Sequence, residues 1–333
     1  MGTLQQAMLM AKVAVGGASP AVVGQVLLYT GNGSAGHAIT GADFSPDLVI
    51  NKRRAGATGN GWPLTDTVRG ATKRILSNAT SSEGTDTDGV TSFDANGFTV
   101  GTGTNQYNQS GEDYMALVLQ MVAGAFDIVT FSGTGSAQAI NHNLGTVPEL
   151  MFIRNRTSGV TDWAVYPGPL ASPETKNLRL NTNAAVATSS TFWNNTSPSS
   201  TQFTVGTATQ TNQSSTQEVA YLFASDGSGI DVGSYTGDGN TNGPLVSVPF
   251  KPKVLIAKRT DSTGNWFVCD DQRDPVSPHN TYNHLNVGGA TAESVTSNSA
   301  GGVDFLSNGF QFIAANDTNM NINGATYVYL AIA

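Results

Sequence analysis

The sequence predicts an all-β fold: three tandem β-sandwich, jelly-roll-like domains behind a short N-terminal helix or arm. Three observations predict it. The chain aligns with itself at intervals of roughly a hundred residues. Its apolar runs are short, rich in Val, Ile, Leu, Phe and Tyr, and bounded by Gly, Asn, Ser or Pro, which is a strand signature. Charged residues make up only 12 % of the chain while Gly reaches 38 residues, against about 25 % charged residues in ordinary globular proteins. Low charge with abundant Thr, Ser, Asn and Gly suits short strands and tight turns.

Residues 1–23 form the arm. Leu4 to Val15 is the best helix candidate, with Leu4, Met8 and Val15 at helix-compatible spacing. A signal peptide is rejected, because the basic n-region is missing and Gln5, Gln6 and Lys12 break the apolar run. The mixed apolar and Gly-rich character suits a segment that orders on docking. No run of ~18 apolar residues predicts a membrane-spanning helix.

The repeats then follow as residues 24–126, 127–228 and 229–333. Each opens with an aromatic residue, a hydroxyl residue and a Gly-x-Gly turn: Tyr29-Thr30-Gly31-Asn32-Gly33, Phe131-Ser132-Gly133-Thr134-Gly135 and Tyr235-Thr236-Gly237-Asp238-Gly239. A proline follows, then an apolar run ending on a basic residue: Pro46 to Lys52, Pro148 to Arg154 and Pro252 to Lys258. The near-continuous apolar character predicts a strand buried on both faces, with the proline at its first position. Next come Trp62, Trp163 and Trp266. Thr67 to Leu76 predicts a short helix or turn in the first repeat. Later, Phe98, Phe203 and Phe310 lead short strands, and Asn108, Asn212 and Asn321 precede a closing apolar run. Each repeat predicts six to eight strands and is long enough to bury a core of its own. The linkers, Met121 to Phe126 and Ser225 to Ser228, are short enough to pack the repeats closely.

The recurring residues read as framework. A tryptophan stacks on a sugar ring when exposed, but these three sit among strand-like residues at one repeat position, which predicts core. Lys52, Arg154 and Lys258 could bind an acidic glycan, but read rather as strand-end charges whose stems pack on the surface, with the nearby tryptophan as one contact. Asp66 and Asp270 are placed to pair with Lys52 and Lys258. Asp238 to Gly243 matches the first half of a calcium loop, but Pro249 stands where the bidentate acid is due, which leaves a polar turn. Asp86-Thr87-Asp88-Gly89 is equally weak.

Catalytic signals are poor. His279 and His284 lie near Asp270, Asp271 and Asp274, without a standard zinc spacing. The other histidines are His37 and His142. There is no Gly-x-Ser-x-Gly elbow, no phosphate-binding loop and no Cys-x-x-Cys. The single cysteine, Cys269, rules out an intrachain disulfide. No cofactor or metal is implied, and the chain is expected not to be an enzyme. Loop function, where present, is expected in one copy, at Thr191 to Ser200 or Asp270 to Asn286. A net charge of −8 with scattered basic residues argues against nucleic acid or an anionic membrane as partner.

The series Tyr29-Thr30-Gly31-Asn32-Gly33, Pro46-Asp47-Leu48-Val49-Ile50, Trp62 to Lys73 and Asn96-Gly97-Phe98-Thr99-Val100-Gly101 resembles a domain of tailed-bacteriophage virion structural proteins. The resemblance is best over Tyr29 to Leu119 and covers nearly everything after residue 24. The second copy departs by losing the Arg-Gly segment and the Asn-Gly pair. Proteins with this domain are usually described as tail fibres, adhesins or other structural components. The resemblance implies a non-enzymatic tail fibre or appendage in host attachment or tail assembly, located in the virion and made in the host cytoplasm. The arm is expected to bind other virion proteins, a homotrimer is the expected assembly, and a host surface glycan is a candidate partner. Three repeats in one chain offer a pseudo-threefold instead. A capsid decoration protein is the main rival, ahead of a polysaccharide depolymerase spike, which needs paired carboxylates, and a free carbohydrate-binding module.

Overall fold

The structure is a computed structural model that describes residues 23–54, 61–102, 106–287, 293–295, 302–313 and 315–333. The arm and its helix candidate, Leu4 to Val15, lie outside the described residues.

The described chain is all-β. The first segment carries β1 (Gly24–Thr30), β2 (His37–Thr40), β3 (Leu48–Arg53), β4 (Pro63–Asp66), β5 (Lys73–Leu76), β6 (Gly84–Thr85), β7 (Val90–Asp94), β8 (Gly97–Val100) and β9 (Asp113–Leu119). The second carries β10 (Phe126–Ser132), β11 (Gln138–Asn141), β12 (Leu150–Asn155), β13 (Ala164–Pro167), β14 (Lys176–Asn177), β15 (Ala187–Thr188), β16 (Gln202–Val205) and β17 (Gln217–Phe223). The third carries β18 (Ile230–Thr236), β19 (Leu245–Ser247), β20 (Val254–Arg259), β21 (Trp266–Asp270), β22 (Thr281–His284), β23 (Ser294–Val295), β24 (Val303–Leu306), β25 (Gly309–Phe312) and β26 (Thr326–Ile332). Among the described residues a single 3-10 turn (Pro173–Thr175) precedes β14 and a short α-helix, α1 (Thr209–Asn212), precedes β17.

The same strand order recurs in each segment. The larger sheets run β1-β9-β3-β4-β5-β6, β10-β17-β12-β13 and β18-β26-β20-β21-β22-β23. The smaller sheets run β2-β8-β7, β11-β16 and β19-β25-β24. The second segment shortens both. A single bridge, Val165 to Leu178, stands where β4 pairs with β5, and no third strand joins β16 among the described residues.

Alternation along the closing strands divides the core. On β9, Met115, Leu117 and Leu119 face one cluster while Ala116 and Val118 face another. On β17 the split is Val219, Tyr221 and Phe223 against Ala220 and Leu222. On β26 it is Val328, Leu330 and Ile332 against Tyr327, Tyr329 and Ala331. Period-two alternation sends adjacent side chains to opposite faces. One face of each large sheet therefore meets its own small sheet. The other joins a cluster drawn from all three segments. The length of each repeat predicts a core of its own. The structure supplies that, and adds a fourth that the segments share.

Several expectations change at this level. The predicted helix or turn at Thr67 to Leu76 is a turn followed by strand β5. Pro46, Pro148 and Pro252 stand two residues before their strands, not at the first position. The residue after each proline makes the first bond instead: Asp47, Glu149 and Lys253 donate their amides to Leu119, Phe223 and Ile332. The proposed insertion Asp270 to Asn286 contains β22, paired with β21. The other, Thr191 to Ser200, carries Phe192 and Trp193 into the second segment's own core.

Candidate functional site at the seams between segments

The three recurring tryptophans meet at the seams. Trp62, Trp163 and Trp266 are buried in the shared cluster. Each indole N–H donates to a carbonyl of another segment: Trp62 to His284 at 3.0 Å, Trp163 to Leu76 at 2.9 Å and Trp266 to Arg179 at 2.8 Å. The bonds run from segment one to three, two to one, and three to two, so they close a ring. Each tryptophan amide is in turn fixed by an asparagine of its own segment, Asn78, Asn181 and Asn286, through the side-chain oxygen. These asparagines follow their tryptophans by different intervals, so a fixed-spacing alignment hides them.

Phe98, Phe203 and Phe310 occupy the complementary position. Each is buried in its own segment's core, facing away from the shared cluster. Pro46, Pro148 and Pro252 are buried at the entry to the central strands. Trp193, outside the repeated set, donates to Lys176 within its own segment.

The basic residues after the buried strands also reach the seams. Lys52, Arg154 and Lys258 are all buried. The Lys52 ammonium stands 5.7 Å from the Trp62 ring centroid, within cation–π range. Arg154 crosses to the first segment and donates to the carbonyls of Thr80 and, at 2.7 Å, Ser81. Lys258 donates to Arg259 and, at 3.5 Å, to Asn183 of the second segment. Burial disfavours the charged amine, which lowers Lys52 to about 8 and Lys258 to about 7. Burial acts oppositely on the Glu218 carboxyl, raising it to about 8.

Asp66 and Asp270 do not pair with these lysines. Each pairs with an arginine three residues on, Arg69 and Arg273, with all four side chains fully buried. Arg69 reaches Glu83 at 3.2 Å, and Glu83 takes Arg156 of the second segment at 2.8 Å. Arg273 reaches Glu293 at 3.4 Å, and Glu293 takes Arg54 of the first segment at 3.0 Å. The same four-residue ionic chain thus crosses two seams. At the third, Thr260 stands in the place of Arg54 and Arg156, and its carbonyl accepts the Val186 amide at 2.9 Å. Tyr221 adds a buried bond from segment two to Asp66 at 2.8 Å.

The recurring asparagines clasp the Gly-x-Gly turns. Asn108 accepts the Asn32 amide and donates to Ser34 and Gly101. Asn212 accepts the Thr134 amide and donates to Ser136 and Gly206. Asn321 accepts the amides of Asp238 and Gly239 and donates to Asn240. An amide side chain supplies both the acceptor and the donors this needs. Asp238, read as part of a polar turn, caps that turn by accepting the Asn240 amide at 2.9 Å.

Two grooves open beside the seams. One of about 660 Å³ lies between segments two and three, with Leu170, Lys176, Val186, Ser234 and Asp261 on its walls. Another of about 340 Å³ lies along Gln25 to Leu28, with Lys253 and Gln272 opposite. Elsewhere, His279 is spent on the Asp274 carbonyl at 2.5 Å and on the Phe305 ring at 4.6 Å. His284 is lowered to about 4 by burial. The Cys269 thiol is buried, which pushes its pKa well up. Among the described residues, no group of three His, Cys, Asp or Glu is placed to hold a metal ion.

A protein-family profile described as a domain of unknown function (DUF7483) matches residues 20–333. No curated protein sequence matches the chain.

Proposed function

The chain belongs to the DUF7483 family, and we propose for it a non-enzymatic structural role on a phage particle, as a tail fibre or tail-appendage component in host attachment or tail assembly. We read the segments as three sandwich units about a pseudo-threefold axis within one chain. The observation that carries this reading is the closed ring of Trp62, Trp163 and Trp266, each bonded to another segment. The tryptophan that the chain repeats three times goes into holding the segments together. Triplicated sequence spent on closure is what a rigid particle component needs.

The ring also bears on assembly. A threefold axis closes an interface without leaving an open end. Here one chain closes it, so a single copy stands where a homotrimer would otherwise be needed. Light scattering on the purified protein is expected to give the mass of one chain; three chains would restore the homotrimer.

The two ends of the molecule differ. Val23, the linkers and the last residue Ala333 gather at one end, where Gln120 donates to Val23 and Ala333 donates to Gly229. The Gly-x-Gly turns and their asparagine clasps lie at the opposite strand ends. We assign the first end to the particle and the turn-bearing end to the outside, where a host surface glycan is the candidate ligand.

The deciding experiment is to count the chain in purified virions by quantitative mass spectrometry and to locate it with antibody-labelled electron microscopy. A few tens of copies or fewer at the tail is the expected result. Hundreds over the head would assign capsid decoration instead, and absence from the particle would end the proposal.

A further inference from the structure

The edge strand of each large sheet meets the chain that precedes it in two of the three segments. In β10, odd-numbered residues bond inward, as the Gly133 amide to Thr216 carbonyl bond at the end of the ladder shows. Even-numbered residues therefore face the open side. There Phe126 exchanges both backbone bonds with Val122, each 3.0–3.1 Å, so the linker folds back on the strand as an antiparallel bridge. In β18, Asp226 donates its amide to Ile230 at 3.1 Å, and the Val232 amide donates to the Ser225 hydroxyl at 2.9 Å. The offset between linker and strand is again four residues.

β1 has the same parity. Gly31 donates inward to Glu112, so Gly24, Val26, Leu28 and Thr30 turn their backbone groups outward. Among the described residues, no hydrogen bond reaches the outward amides and carbonyls of Val26 and Leu28. The groove of about 340 Å³ runs along this stretch, and Leu28 is 40 % exposed beside it. The described chain begins at Val23, buried at the foot of β1. What leads into it is a segment of 22 residues that includes Val13-Ala14-Val15.

We infer that the N-terminal arm, through residues before Pro20, folds back and pairs antiparallel with the free edge of β1 between Val26 and Thr30. The occupant is this chain's own arm because the other two segments turn their preceding linkers back onto the foot of the edge strand, and the arm enters β1 at that same foot. A tether of a few residues also gives it a high effective concentration at that edge. About seven extended residues match the length of β1 at ~3.3 Å each. Pro20 has no amide to offer, and Ala21 and Val22 replace the glycines that bend the other two linkers, Gly124 and Gly227. Pairing further along needs only ordinary amides and carbonyls. The pairing would cover an edge that otherwise invites another strand. It does not rest on the assignment to a phage particle.

The test uses the full chain. Leu28→Cys is combined in turn with cysteine at each of residues 14 to 18, and each variant is mildly oxidised. Paired strands bring Cα atoms to about 5.5 Å, inside the disulfide range. An intrachain disulfide that peaks at one position is expected. The wild-type Leu28 amide is also expected to exchange with deuterium on the order of 100-fold more slowly than that of Thr130, its counterpart beyond the β10 bridge. Interchain disulfides alone would assign the groove to a second copy and overturn the inference. Fast exchange at Leu28 without any cross-link would overturn it too, as would slow exchange without one.

Discussion

The indole N–H of Trp62 donates to the backbone carbonyl of His284, 222 residues away in sequence, at 3.0 Å. It is one of three equivalent bonds, and it ties the first segment to the last. A chain read as consecutive units is thereby closed end to end. The mechanical consequence is that no segment's inner face is finished without its neighbours.

That closure predicts the stability of the tryptophan variants. Trp62→Phe, Trp163→Phe and Trp266→Phe each keep most of the apolar bulk but orphan a buried carbonyl, which costs about 1–3 kcal/mol. Urea unfolding followed by fluorescence and by circular dichroism is expected to show one coincident transition in the wild type and in each variant. Three separable transitions would mean that the segments fold as independent beads.

Arg69→Met leaves Asp66 charged and buried without its ionic partner, with only the backbone amide of residue 69 and the Tyr221 hydroxyl against it. Breaking such a pair from one side costs about 3–5 kcal/mol. The double variant Asp66→Asn with Arg69→Met is expected to recover much of that loss in denaturant melts. A double variant no better than the single one would show that the charge itself is not what is being compensated.

The asparagine clasps predict an isosteric test. Asn212→Asp keeps the shape but places a carboxylate against the carbonyls of Ser136 and Gly206, to which the native amide donates. The expected loss is about 2–4 kcal/mol at neutral pH, from two lost donors and a desolvated charge. Lowering the pH should return part of it, since a protonated acid donates once. A variant as stable as wild type at pH 7 would contradict the clasp.

Stability is expected to pass through a minimum near pH 7–8. The Glu218 carboxyl is raised to about 8 in the fold, against about 4.3 when unfolded. Between those values the folded chain holds the extra proton, so its contribution falls as pH rises. The Lys258 ammonium is lowered to about 7, against about 10.4 unfolded. There the unfolded chain holds the extra proton, so stability climbs from about pH 7 to about pH 10. Lys52, lowered to about 8, adds to the upper limb. Glu218→Gln should flatten the lower limb and Lys258→Met the upper one in thermal melts across pH 4–10. A maximum at pH 7–8 would contradict both assignments.

The repeated landmarks were legible because each has a local cause. The Gly-x-Gly turns need glycine: Gly33, Gly135 and Gly239 take positive φ. The runs after Pro46, Pro148 and Pro252 are apolar throughout because both faces of those strands are covered. The buried tryptophans follow from the same patterning. The pairing of Asp66 was misread, because a lysine fourteen residues back is no less visible in sequence than an arginine three residues on. Only the turn at residues 67–69 brings Arg69 over the carboxylate.

The sequence by itself determined the β character, the threefold recurrence and which residues are apolar enough to be inside, since these depend on period and on neighbours in the chain. The tertiary structure alone decided that Trp62 and Phe98 serve different cores, and that His284, Leu76 and Arg179 lend their carbonyls to the ring. A backbone carbonyl carries no side-chain signature. Which one a buried N–H finds is settled by how the sheets close around the shared core.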